Sequence, residues 1–182
     1  MANHVETNVW LVQANKSATK IFENAFQSIK DLKEEGLEFS EVLPDWDDEW
    51  CSREWMEQNV GPKWAQLQDS EDTWAWIQSA WVPPAVFLEK LANKMAQVDA
   101  DVKMSAKYID EFYNFVGVWT FSDGESDYEE ESGDWLMRKR AEDIGTPLDS
   151  YEVWEDDGWD EWLDDTLESW SQFLISEDED ET

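Results

Sequence analysis

Apolar and polar positions alternate along residues 5–12, VETNVWLV, and predict a first strand that ends in an apolar run. Asn15 or Ser17 then caps a helix running to about Glu35. Its apolar positions Phe22, Ala25, Phe26, Ile29 and Leu32 follow the three-and-four spacing of one buried face. Gly36 stands where the residue after a helix belongs, and residues 37–43, LEFSEVL, alternate again as a half-buried strand. The acidic, Trp-rich stretch 44–59 predicts a loop with a short helix near Ser52–Gln58. KWAQLQ at 63–68 and TWAWIQSAW at 73–81 predict a hairpin turning at Asp69–Asp72. Pro83 and Pro84 open a second helix whose apolar stripe is Val86, Phe87, Leu91, Met95 and Val98. Residues 101–110 and 112–121 predict a closing pair of strands. The order β-α-β, hairpin, α, β-β predicts an α+β sandwich, with two helices on one face of an antiparallel sheet and residues 1–121 as a self-sufficient unit.

After Phe121 the pattern changes. SDGESDYEEESGD holds no aliphatic residue, so residues 122–134 read as an exposed linker. A short helix is expected at 135–144, stopped by Gly145 and Pro147, and an amphipathic helix at about 156–175. In the latter, Trp159, Trp162, Leu163, Leu167, Trp170, Phe173 and Leu174 share one face, while Asp160, Glu161, Asp164, Asp165 and Glu168 hold the other. Like charges four apart cost a few tenths of a kcal/mol per pair. Burying each large apolar side chain returns about 1.5–3 kcal/mol. The helix is therefore expected to pack on the body and to display a fixed row of carboxylates, with 122–182 forming an acidic helical extension.

Charge changes the picture further. The chain of 182 residues carries 45 acids and 13 bases, a formal net charge of −32. Residues 121–182 hold 24 acids against 3 bases, and residues 1–120 hold 21 against 10, so the acids concentrate in the last third. Salt adaptation would spread them over the whole surface. Phosphate neutralisation needs clustered Lys and Arg, so direct binding to nucleic acid or to an anionic membrane is excluded. With 14 Trp and 41% apolar residues there is material for a core, unlike disordered acidic chains. No run of about 18 apolar residues predicts a membrane span, and MANHVETNVW has neither the basic start nor the apolar stretch of a secretory signal. The single Cys51 forms no internal disulfide and fits a reducing cytoplasm.

The stretches NVGPKWAQL, SAWVPP and YIDEFYNFVGVW resemble the YubB-like, or Api-type, proteins of phages and mobile elements. Gly61, Lys63 and Trp64 match a Trp-Gly-x-Lys-Trp element, with Val60 in place of the first Trp. Ser79, Ala80, Trp81, Pro83 and Pro84 match a Ser/Thr-Ala-Trp-x-Pro-Pro turn, and Phe115 and Gly117 a late aromatic-Gly strand. The resemblance covers about residues 55–121. It implies a ferredoxin-like domain and a phage origin rather than a defined activity, and the acidic extension lies outside its pattern.

Chemistry is sparse. The only histidine, His4, lies beside the terminus, and carboxylates around Cys51 disfavour its thiolate. No nucleophile elbow, phosphate loop or dinucleotide fingerprint occurs. Asp47, Asp48 and Glu49 bind a cation only weakly, and no glycine fits a calcium loop. No catalytic residue, metal site or cofactor is therefore predicted. Counting Asp157, the six acids of the last helix span about 17 Å at ~1.5 Å per residue. That is one charge per ~3 Å, close to the ~3.4 Å of a single DNA strand, although any acidic amphipathic helix approaches this density and a plain solvated face competes. The expectation is a non-enzymatic interaction protein, phage-encoded and acting in the host cytoplasm. It covers a basic surface of a host nucleic-acid-binding or processing protein in the manner of a nucleic-acid mimic. The expected contacts are Asp157, Asp160, Glu161, Asp164, Asp165 and Glu168, then Glu129, Glu130 and Glu131, with Trp46, Trp50 and Trp55 as anchors. The rival is a structural or virion-associated accessory protein whose acidity serves solubility.

Overall fold

The computed structural model describes residues 3–27, 52–149, 153 and 158–177. The expected strand at 37–43, the end of the first helix and the loop at 44–51 lie outside the described residues. Alternation in VETNVWLV builds β1 (His4–Gln13), burying Val5, Thr7, Val9 and Leu11 on one face. Asn15 starts α1 (Lys16–Gln27), its side-chain oxygen accepting from the amides of Ser17 at 2.9 Å and Ala18 at 3.0 Å. Ser52 caps α2 (Arg53–Asn59) in the same way through the Trp55 amide. The hairpin β2 (Ala65–Glu71) and β3 (Trp74–Ala80) follows, then α3 (Ala85–Ala96) behind the two prolines. Val98, expected in the stripe of α3, falls beyond the helix end and is exposed.

With β4 (Lys103–Asp110) these elements give the order β2-β3-β1-β4, every neighbour antiparallel, which is the ferredoxin-like arrangement. α1 and α3 cover one face, where Phe22 meets Phe26 at 4.8 Å and Phe26 meets Phe87 at 5.9 Å between ring centres.

The sheet does not stop there. β5 (Phe115–Ser122) pairs with β4, and residues 125–132, expected to be a linker, form β6 (Glu125–Ser132) on the outer edge of β5. The turn between them is Asp123-Gly124, with φ of +49° and +85°. Two successive positive φ values match the twist of a tight antiparallel hairpin. A strand with acids along it is stable here because an edge strand keeps most of its side chains in water. Ser132 ends β6 and caps α4 (Gly133–Ile144), and Gly145 closes that helix in the left-handed conformation at φ +69°.

The last helix, α5 (Trp159–Glu177), crosses the face of the sheet opposite α1 and α3. Val116 and Val118 of β5 and Leu136, Met137, Trp159, Leu163 and Leu167 of the helices form a second core there. The described part of the acidic third thus extends the sheet by β6 and adds a third layer to the same body. β5 is buried on both faces, since Val116 and Val118 point to this layer while Trp119 and Phe121 belong to the first core.

Candidate partner-binding surface

The apolar stripe of α5 decides where its acids point. Trp159, Leu163 and Leu167 are buried, and Trp162, Trp170 and Leu174 are half-buried against the same core; the Phe173 side chain lies outside the described ones. Trp159 meets Tyr113 edge-on at 5.6 Å, and Trp135 meets Trp170 at 5.4 Å. Trp162 donates its indole N–H to Asp143 at 3.0 Å, and its ring lies under the Arg140 guanidinium at 5.3 Å. Lys139 and the Trp162 N–H both stabilise the ionised form of Asp143 and hold its pKa below the usual range.

Asp160, Glu161, Asp164, Asp165 and Glu168 are all exposed. They do not make one row. Asp160, Asp164 and Glu168, each one turn apart, border the sheet, whereas Glu161 and Asp165 face away from it. Asp164 and Glu168 enclose a cation that the sequence pattern does not announce. Lys107 of β4 points to the same face, and its Nζ lies 2.7 Å from Asp164 Oδ1 and 2.9 Å from Glu168 Oε2. Burial alone depresses its pKa, but the hydrogen bonds and charges of the two carboxylates outweigh that and leave it raised. Glu168 is correspondingly lowered, chiefly by Lys107 and then by Gln172. A lone lysine inside the apolar run MSAKYI was the available signal.

The remaining expected contacts are dispersed. Glu129 and Glu131 pair with Val118 and Val116, placing them on the α5 face of the sheet, while Glu130 lies opposite Gly117 on the other face. Burial and then the charge and hydrogen bond of Glu130 raise the pKa of Tyr108, whose hydroxyl meets the Glu130 side chain. Trp55 is half-buried against the first core from α2. Trp46, Trp50 and Asp157 lie outside the described residues, as do Cys51 and the acids 47–49. His4 contacts Glu111 at 3.6 Å and the Trp64 ring at 5.3 Å.

The residues of the SAWVPP turn and of the Gly-x-Lys element converge. Gly61, Lys63, Ala80 and Trp81 line one cleft of about 270 Å³ with Arg53 and Glu57. Trp81 is 58% exposed in the left-handed region at φ +79°, and Lys63 Nζ sits 5.0 Å from its ring centre. A bulky residue held there is strained, and such strain gathers at functional positions.

Among the described residues no group of three or more His, Cys, Asp and Glu side chains is placed to hold a metal ion, and no helix is long and apolar enough to cross a membrane. No family model matches the sequence, and no curated protein is similar to it.

Proposed function

We propose that this chain is a non-catalytic interaction protein that presents carboxylates to a basic surface of a nucleic-acid-binding or processing protein. The observation that carries the reading is the mounting of α5, whose exposed acids are fixed from below by a Trp- and Leu-lined core. Fixed charges complement a basic patch without first having to be ordered, and they steer encounter over long range. Glu129 and Glu131 extend the negative field along β6 on the same face of the sheet. The phage origin and the host cytoplasmic target rest on the resemblance of NVGPKWAQL, SAWVPP and YIDEFYNFVGVW to the YubB-like proteins, with which the βαββαβ order is compatible.

The test is co-purification of a tagged chain from host lysate at low and at high salt, beside a variant with Asp157, Asp160, Glu161, Asp164, Asp165 and Glu168 changed to Asn or Gln. A basic protein is expected on the wild-type chain at low salt, released at high salt and absent from the variant. Equal capture by both chains removes the acids from the interaction. Co-sedimentation with assembled particles, indifferent to salt, assigns the chain to a structural role instead.

A further inference from the structure

Among the described residues, the second face of the sheet is only half covered. α4 and α5 rest on β4, β5 and β6, and among the described residues no helix lies over β1, β3 and β2. Strand register specifies what this open half displays. Trp10 stands opposite Trp74, Asn8 opposite Trp76 and Glu6 opposite Gln78. On β2, Asp69 stands opposite Trp76 and Glu71 opposite Trp74, and both acids are exposed. Asp160, Asp164 and Glu168 of α5 form the other wall, above two adjoining clefts of about 330 and 170 Å³ that Trp10 lines. The result is a tryptophan floor between two carboxylate walls. The three strands, ~4.8 Å apart, make a floor ~10 Å wide from β2 to β1, room for one extended chain.

We propose that this groove receives an extended, arginine-rich segment of the partner; the inference rests on the acidic-binder reading above and locates its specificity. Trp76 is 37% exposed, a large indole that is not buried in the body, and Glu6 fixes its edge by accepting from the indole N–H while also accepting from Gln78 at 2.7 Å. Pinned by its edge, the ring offers a flat surface. A guanidinium is planar, weakly hydrated and able to stack on an indole while its N–H groups meet carboxylates beside it. The groove already contains this chemistry in miniature. Lys107 Nζ lies 5.3 Å from the Trp10 ring centre while Asp164 and Glu168 clasp it. A second copy of the chain is the wrong occupant, because it would set carboxylates against carboxylates at a net charge of −32 on each side. An apolar segment would desolvate the exposed Glu71 and Asp160 carboxylates without offering them a donor.

The full chain titrated with labelled oligo-arginine and oligo-lysine peptides of equal length, at low salt, tests the groove. The arginine peptide is expected to bind several-fold more tightly. Trp76→Ser should weaken it by roughly fivefold and largely erase that preference. Asp69→Asn with Glu71→Gln, an exposed pair that leaves the core alone, should weaken both peptides more than Glu161→Gln with Asp165→Asn, an equal change of charge outside the groove. If Trp76→Ser is silent and both acid pairs act equally, attraction is diffuse: the groove is overturned while the acidic binder stands. If a basic partner co-purifies but neither peptide binds, the groove alone fails. A dimer that Trp76→Ser dissolves would assign the face to a second copy and overturn the proposal.

Discussion

Gly117 lies where three atoms leave no room for a side chain. A Cβ built there would meet Tyr108 Cζ and Oη at 2.4 Å and the Glu129 carbonyl oxygen at 2.7 Å. The Tyr108 ring covers the glycine across the β4–β5 pair, and it is buried among the first core, so it cannot turn out without uncovering that core. Gly117→Ala is therefore expected to destabilise the fold by about 1–3 kcal/mol through overpacking. Urea unfolding should show it as a lower midpoint at unchanged slope. Adding Tyr108→Phe removes the Oη contact but neither Cζ nor the Glu129 carbonyl, so it should restore only part of the loss. A midpoint equal to wild type would mean that the two strands can part at this position without cost.

Between elements, the seat of α5 on β4 combines apolar packing with one enclosed cation. Asp164 and Glu168 are 71% and 51% exposed, so solvent screens their attraction to Lys107 and its worth is modest. Lys107→Met keeps the packing volume and leaves the two carboxylates facing each other, so a loss of up to about 1 kcal/mol is expected at low salt. That loss should shrink in about 1 M salt, where the screening length is ~3 Å. The pH dependence has two edges. Lys107 has a raised pKa, so its contribution is complete below the ordinary lysine value of about 10.4 and disappears as pH rises through the folded value. Glu168 has a lowered pKa, so its contribution is complete above about 4.3 and disappears as pH falls through the folded value. The difference in melting temperature between wild type and variant should be flat between these edges and close at both; a constant difference across all pH would show that only volume mattered. The same elements mark how far the sequence could be read. The six-element ferredoxin-like core was legible because the apolar residues of each element recur at its own period, even in β4, which is buried on both faces. Both helices of the last third were legible for the same reason. β6 was not, because an edge strand of Glu, Asp and Ser has no apolar alternation, and the turn dipeptide Asp123-Gly124 was the one local sign of a hairpin. Trp10, Trp74 and Trp76 could be assigned to strands, yet their common face became visible only through the β1–β3 register.

At the scale of the whole molecule, the third layer changes which part of the chain can stand alone. The sequence pattern makes residues 1–121 look complete, but β5 needs cover on two sides. Ending the chain at Ser122 would strip the partners from Ile109, Val116 and Val118 and expose the outer hydrogen-bonding edge of β5 along its length. Burial of each such side chain is worth about 1.5–3 kcal/mol, and a bare apolar edge strand invites pairing with another chain. The shortened chain would also shed 24 of the 45 acids, lowering the repulsion that keeps copies apart. All three effects point the same way. The 1–122 fragment is expected to associate or aggregate and to bind a hydrophobic dye, with a broadened thermal transition, while the full chain stays monodisperse and unfolds cooperatively. Replacing Val116 and Val118 by Thr in the fragment should reduce dye binding without restoring a sharp transition, because the unpaired edge remains. A monomeric fragment with a single sharp transition would show that the acidic layer is added to a finished domain, and would take from α5 the rigid seat on which its display of carboxylates depends.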